Sequence, residues 1–149
     1  MFRIYLDNCC YGRPFDPPSS PTITFESSAK MLIQALIINK KVNLVNSFVI
    51  YEELSAMPNK EAQKLIYTFL DNATVYVAKD KLSEVLPLAI EIMDTGIKYM
   101  DASHTACAII AECDYLITAD KRLLRYKRDT IKIVNPIDFI RIWEDIENA

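Results

Sequence analysis

Short apolar runs alternate with longer helical patterns along the chain, and this alternation limits the possible folds most strongly. The runs are apolar throughout rather than at every second position, which is typical of strands covered on both faces of a sheet. They are predicted at residues 2–6, 42–50, 74–78, 115–118 and 131–134. The pattern predicts a single α/β domain over residues 1–149, with three layers, doubly wound around a mainly parallel sheet of about five strands.

Between the predicted strands, apolar residues recur every three or four positions, as on one face of a helix. Asn59 is placed to cap one helix, and Pro136 stands at the first turn of the last. Residues 12–21 contain four prolines and are predicted to form a loop. The predicted helices cover residues 22–41, 52–56, 60–70, 80–97, 101–112, 121–125 and 136–146.

Composition removes several classes of function. The two glycines, Gly12 and Gly96, lie far apart, so the chain has neither a glycine-rich phosphate loop nor a dinucleotide fingerprint. The single histidine, His104, excludes zinc patterns that need several histidines and leaves only one candidate base for a serine hydrolase. Acidic residues remain abundant, with 20 Asp and Glu against 17 Lys and Arg. We therefore expect carboxylates to perform any chemistry.

The expected location is cytoplasmic. The sequence has no apolar run of about 18 residues that would span a bilayer and no apolar segment typical of a signal peptide, so no membrane partner is expected. Thiols are reduced in that compartment, and no pair has the spacing of a zinc or redox motif. The cysteines are therefore predicted to be buried and inert; they are Cys9, Cys10, Cys107 and Cys113.

Acidic residues stand at equivalent places along the chain. Asp7 ends the first predicted strand, Glu52 and Glu53 follow the second, Asp120 follows the fourth, and Asp101 opens the helix that leads into the fourth. The carboxyl ends of parallel strands lie at one edge of the sheet, and ligands bind there where the strand order reverses. We therefore expect these carboxylates to converge.

Converging carboxylates need a cation. Two carboxylates 4 Å apart repel by about 4 kcal/mol at an effective dielectric constant of 20. Hard oxygen ligands select Mg²⁺ or Mn²⁺, and such an ion can activate water and stabilise the charge on a phosphodiester. The cluster thus indicates metal-assisted phosphodiester hydrolysis.

Each acid also has a purely structural interpretation. Asp7 suits an Asx turn, Asp101 and Asp120 suit helix caps or partners of a helix dipole, and the two glutamates suit a solvated first turn. Because several such features would have to fall by chance at one sheet edge, their joint occurrence favours a functional site.

Four sequence segments together resemble the PIN-domain family, in particular its VapC-type toxins. They are IYLDN, an acidic residue after the second strand, GIKYMDASHTACAIIAECDYLITADKRLL and IKIVNPIDFI, and they span nearly the whole chain. The resemblance implies a PIN-like fold and a divalent-metal-dependent endoribonuclease acting on RNA phosphodiester bonds, often the toxin of a toxin–antitoxin pair. It also implies Mg²⁺ or Mn²⁺ as cofactor, a protein antitoxin as partner and a homodimer contact, for which the apolar residues of the last helix are candidates.

By position, the resemblance assigns catalysis and metal binding to Asp7, Glu53, Asp101 and Asp120. Glu52 is the alternate to Glu53. Asn8, after the first aspartate, and Thr118, beside the last, are assigned supporting roles.

Basic residues follow the last of these aspartates and suit a phosphate backbone. Lys121, Arg122 and Arg125 are predicted to bind substrate, although a solvated charged helix explains them equally. His104 lies on the same helical face as Asp101 and is predicted to contact substrate or orient a carboxylate; a packed or capping histidine is the alternative. Two other functions stay open: a non-catalytic PIN-like module that binds RNA or protein, and another metal phosphohydrolase.

Overall fold

The predicted strands form one parallel sheet in a computed structural model, which describes residues 1–11 and 20–148. The strands are β1 (Arg3–Leu6), β2 (Asn43–Ser47), β3 (Val75–Val77), β4 (Tyr115–Ile117) and β5 (Lys132–Val134). Their order in the sheet is β3-β2-β1-β4-β5, and every neighbouring pair is parallel. The prediction of a doubly wound α/β sheet is therefore confirmed.

The strand order reverses between β1 and β4. The chain proceeds from β1 outward to β2 and β3, and then crosses to the other side of β1 to form β4. Leu6 pairs with Ile117 in this register, and the backbone N–H of Asp7 donates to the carbonyl of Ile117 at 3.0 Å. The residues that follow these strands, Asp7 and Thr118, thus lie where doubly wound sheets bind ligands.

Helices cover both faces of the sheet. Three consecutive residues of β1, Ile4, Tyr5 and Leu6, are fully buried although their side chains alternate between the faces. Helix α1 packs against α7, α4 against α5, and α2 also against α5. No helix in the described part of the chain has the length and apolarity to cross a bilayer. The helices there are α1 (Pro21–Ile38), α2 (Phe48–Ser55), α3 (Lys60–Phe69), α4 (Leu82–Met93), α5 (Tyr99–Ile110), α6 (Lys121–Arg125) and α7 (Pro136–Glu147).

The boundary between β2 and α2 differs from the prediction. Residues 42–50 were expected to form a strand, but β2 ends at Ser47 and α2 begins at Phe48. The side chain of Ser47 accepts a hydrogen bond from the backbone N–H of Ile50, which caps the helix. The β-branched residues Val49 and Ile50 therefore lie in the first turn of a helix, where tertiary packing outweighs their strand preference.

Other helix starts agree with the capping signals. Asn59 caps α3, and Pro136 opens α7 after the cap by Asn135. The predicted loop at residues 12–21 lies mostly outside the described residues, but its last position, Pro21, is the first residue of α1, with Ser20 as the cap. Proline suits that position because its missing N–H would have no partner inside the helix.

The apolar residues of α7 are explained by packing within the chain. Phe139 is fully buried, and Ile140, Ile142 and Trp143 pack against the core. Packing within the chain accounts for these four residues, and a homodimer contact stays a prediction.

Candidate metal centre

Asp7 is held at the reversal point by its neighbours. Its side chain is buried, and Oδ2 accepts hydrogen bonds from Thr118 Oγ1 at 2.7 Å and from Cys9 Sγ at 3.5 Å. The alternative interpretation, an Asx turn, is wrong for the described residues, because this side chain does not cap the 3₁₀ turn that follows it. The carboxylate is instead oriented by the ends of two central strands.

Thr118 connects the first and last aspartates. Its buried hydroxyl donates to Asp7 Oδ2 and accepts from the backbone N–H of Asp120 at 3.0 Å. A hydroxyl has one hydrogen, so this donor and acceptor pair fixes its orientation. Thr118 therefore sets the spacing between the two acidic segments.

Asp120 caps α6, as one of its two interpretations predicted. Its Oδ1 accepts from the backbone N–H groups of Arg122 at 2.8 Å and Leu123 at 3.1 Å. Capping does not remove its charge from the cluster, because Asp120 still raises the pKa of Asp101. Asp120 therefore both caps α6 and contributes negative charge to its surroundings.

The pKa of Asp101 is raised by its surroundings. It is partly buried in the first turn of α5, and the cap of that helix is Lys98, so Asp101 does not act as the cap. Burial, followed by the negative charges of Asp7, Asp120 and Glu53, raises the pKa of Asp101 from 3.8 to about 6, with His104 acting in the opposite direction. The negative charges of three acids thus act on Asp101, which is not among the residues whose ligand atoms lie within 4.8 Å of one another.

Of the two neighbouring glutamates, Glu53 belongs to the cluster. Glu52 is exposed, whereas Glu53 is partly buried and its Oε1 lies 3.1 Å from His104 Nε2. One ligand atom each from Asp7, Glu53 and His104 lie within 4.8 Å of one another. The alternate assignment of Glu52 therefore does not fit its position.

His104 does not reach the solvent. Its ring is completely buried, and Nδ1 lies 2.6 Å from the hydroxyl of Tyr5. The expectation that it contacts substrate does not fit this position, whereas the packed histidine that orients a carboxylate does. Tyr5, which is hydrogen-bonded to this ring, and Ser47, which is hydrogen-bonded to Tyr5, were not predicted as site residues; Ser47 was recognisable as a residue that favours helix caps.

Asn8 and Cys9, which follow Asp7, differ in their exposure to solvent. The side-chain nitrogen and oxygen of Asn8 are shielded from solvent and have no hydrogen-bond partner within residues 1–11 and 20–148. Cys9 is exposed, which corrects the prediction that all cysteines are buried; the other three cysteines are buried and all four are free.

Basic residues in and after α6 line an open cavity. Arg122 and Arg125 line it together with Lys127, opposite the turn between α4 and α5, and its volume is about 510 Å³. Lys121 is exposed and lies outside this lining. The lining residues from the turn precede Asp101 in the sequence, and the basic ones follow Asp120.

Two solved structures share this architecture. A chain from the structure of VapBC2 from Rickettsia felis, bound to a DNA fragment from the promoter, superposes with a TM-score of 0.58, covering 89% of this chain and 98% of its own, at 17% identity. A chain of FitAcB from Neisseria gonorrhoeae superposes with a TM-score of 0.57, covering 89% of this chain and 97% of its own, at 16% identity. This chain has a VapC-like PIN-domain fold.

The likeness lies in the fold of the backbone, as expected at such low identity. No family model matches the sequence, and no curated protein matches it either. In this PIN fold, the acidic cluster stands at the reversal between β1 and β4.

Proposed function

We propose that this chain is a divalent-metal-dependent endoribonuclease that hydrolyses RNA phosphodiester bonds. The main support is the set of ligand atoms from Asp7, Glu53 and His104 that lie within 4.8 Å of one another, together with the raised pKa of Asp101, about 6, which results from burial and from the charges of three other acids. Ionised carboxylates near one another repel, so a bound cation would stabilise them. The proposed ligands are Asp7, Glu53, Asp101 and Asp120.

The donor set fits a hard cation. The four proposed ligands are carboxylates, and such oxygen donors suit Mg²⁺ or Mn²⁺ better than softer metals. When bound, the ion supplies an activated water and stabilises negative charge on the phosphate. The chain's own contribution is to hold the carboxylates in place, and Thr118 does this for Asp7 and for the backbone of Asp120.

The substrate is proposed to be a polymer rather than a small phosphoester. Arg122 and Arg125 line an open cavity and follow Asp120 closely in the sequence, so these cations are available to bind backbone phosphates. Small-molecule phosphatases of one common type use an Asp-x-Asp nucleophile, but Asp7 is followed by Asn8 and Cys9.

The proposed partner is a protein antitoxin, in line with the VapC-like fold. Co-expression with the product of the neighbouring reading frame should suppress cleavage by this chain. If that product neither binds the chain nor inhibits it, the toxin role is refuted while the nuclease role stands.

The nuclease activity can be tested on end-labelled single-stranded and structured RNA with Mn²⁺, Mg²⁺ or EDTA. We expect cleavage with either ion, none with EDTA, and at least a 100-fold loss in Asp7→Asn and Asp101→Asn. Glu52→Gln is the matched control, because it removes an exposed charge one residue from Glu53 and should leave cleavage unchanged. Circular dichroism establishes that each variant is folded.

Three outcomes would contradict the proposal. Full activity in folded Asp7→Asn and Asp101→Asn would mean that the site is elsewhere. Absence of Mn²⁺ binding at millimolar concentration would favour a non-catalytic binding module. Preferential hydrolysis of p-nitrophenyl phosphate, uninhibited by RNA, would favour another metal phosphohydrolase.

A further inference from the structure

A buried chain of side-chain hydrogen bonds runs from the cap of α2 to the acidic cluster. The hydroxyls of Ser47 and Tyr5 lie 2.6 Å apart, and the Tyr5 hydroxyl lies 2.6 Å from His104 Nδ1. On the other side of the ring, Nε2 lies 3.1 Å from Glu53 Oε1. Ser47, Tyr5 and His104 are all completely buried.

If the carboxylate is ionised and the ring carries one hydrogen, each hydrogen bond has a single direction. An ionised carboxylate only accepts, so Nε2 of His104 carries the hydrogen in its contact with Glu53. In the singly protonated ring, Nδ1 then accepts from the Tyr5 hydroxyl, whose oxygen accepts in turn from Ser47. Ser47 Oγ also accepts from the backbone N–H of Ile50 at 3.3 Å. Every hydrogen on these side-chain groups therefore has an acceptor.

The same chain of bonds connects three elements of the fold. Ser47 caps α2 and Glu53 lies within α2, whereas Tyr5 belongs to β1 and His104 to α5. The bonds therefore form a closed loop that leaves α2 at its cap and returns to it at Glu53. Glu53 is fixed relative to β1, which Asp7 follows directly, and relative to α5, which bears Asp101.

In this arrangement of hydrogens, the ring is not itself a metal ligand. Although Nε2 lies close to the carboxylates of Asp7 and Glu53, a nitrogen that donates a hydrogen has no lone pair for a cation. The second nitrogen faces Tyr5, away from the cluster. The proposed metal ligands are therefore the carboxylates alone.

We propose that His104 is a positioning residue, which orients Glu53 through Nε2 and is itself oriented by Tyr5 and Ser47. The proposal rests on the proposed function of the acidic cluster as a metal centre. Partners that orient a metal ligand in this way typically change metal affinity or activity by 10- to 100-fold when they are removed.

The hydrogen-bond arrangement can be tested without any activity. Since the chain has one histidine, protein labelled with ¹⁵N-histidine gives a single set of ring signals in nuclear magnetic resonance. We expect the hydrogen on Nε2, and a change in the ring signals in Glu53→Gln and Tyr5→Phe but not in Glu52→Gln or Tyr115→Phe. A bare Nε2, or ring signals that do not respond to Glu53→Gln, would overturn the proposal.

Consequences for the metal site need a second experiment. Mn²⁺ affinity, measured by electron paramagnetic resonance, should fall 10- to 100-fold in His104→Leu and recover substantially in His104→Gln, whose amide can both donate to Glu53 and accept from Tyr5. In RNA cleavage at saturating Mn²⁺, His104→Leu should lower kcat with little change in KM.

The two proposals fail in different ways. If wild-type protein neither binds Mn²⁺ nor cleaves RNA, the proposed function fails while the ring signals still test the positioning. If wild type is active and folded His104→Leu matches it in Mn²⁺ affinity and kcat, the positioning role fails alone. If His104→Gln is no better than His104→Leu, the hydrogen bond is not what matters, and the proposal is likewise overturned.

Discussion

Replacing Asp101 with asparagine should stabilise the metal-free protein while it abolishes cleavage. Asparagine keeps the size of the side chain and removes the charge that burial and three neighbouring acids make unfavourable. Sites that bind ions often hold such strain, which the ion relieves. The prediction therefore tests the electrostatics of the cluster directly.

The magnitude follows from the pKa of the carboxyl. It rises from 3.8 to about 6 on folding, so the folded chain binds this proton more tightly than the unfolded chain does. The corresponding stability is fully present below pH 3.8 and is lost as the pH rises through about 6. The full shift corresponds to about 3 kcal/mol, and solvent screening of a half-buried group reduces it to roughly 1–2 kcal/mol.

Thermal unfolding of wild type and Asp101→Asn at pH 5 and pH 7.5, in EDTA and in Mn²⁺, measures this effect. At pH 7.5 in EDTA, the variant should melt about 2–6 °C above wild type. At pH 5 the difference in melting temperature between the two proteins should shrink, because wild type is then largely protonated at Asp101. In Mn²⁺ at 100 times its Kd, wild type should gain about 2.7 kcal/mol, and the ranking should reverse.

Two results would refute this reasoning. Equal melting temperatures at pH 7.5 in EDTA would mean that Asp101 does not experience the other carboxylates. A gap that does not change between pH 5 and pH 7.5 would mean that the stabilisation has another cause. Glu52→Gln, which removes an exposed carboxylate, should show no gap at either pH.

Three further perturbations have defined outcomes. Thr118→Val removes the hydroxyl between the first and last aspartates. The free energy of unfolding, measured by urea denaturation, should fall by about 1–3 kcal/mol, and calorimetry should show a weaker Mn²⁺ affinity. Unchanged values would mean that this hydroxyl is dispensable. Arg122→Ala with Arg125→Ala should raise KM for RNA and reduce the salt slope of binding by roughly one per lost phosphate contact, and an unchanged slope would remove them from the substrate path. Gly96→Ala, at a φ of 103° with open space around it, should lower the free energy of unfolding by about 1 kcal/mol through backbone strain alone.

The sheet could be predicted because its signal is local. Runs such as residues 2–6 and 115–118 are apolar throughout, and only a sheet covered on both faces buries every residue of such a run. Parallel strands also share a direction, so the positions of Asp7 and Asp120 along the chain were enough to predict the edge on which they lie.

The choice between Glu52 and Glu53 could not be made from sequence spacing. It depends on the helical phase of α2, and therefore on where that helix starts. The predicted start at residue 52 was four residues late, because Val49 and Ile50 favour strands and the cap by Ser47 was not recognised. With an error of four residues in the helix start, the sequence does not determine on which side of α2 each glutamate lies.

The links made by His104 were also beyond prediction. Tyr5, Ser47 and His104 are separated by 42 and 57 positions along the chain, and each by itself resembles an ordinary core or capping residue. Their hydrogen bonds depend on the packing of β1, β2 and α5 around one point. Only the folded structure contains that information.

Because α2 is short, its local unfolding determines what fraction of molecules has a complete metal centre. A helix of 8 residues is not stable alone in water, so α2 persists only through its bonds and contacts to the rest of the chain. When α2 opens by local unfolding, Glu53 leaves with it and the centre is dismantled while the sheet remains intact. Amide hydrogen exchange should therefore detect α2 and the adjoining turn of α5 opening as one cooperative unit, and the population of that open state sets the fraction of molecules without a complete centre.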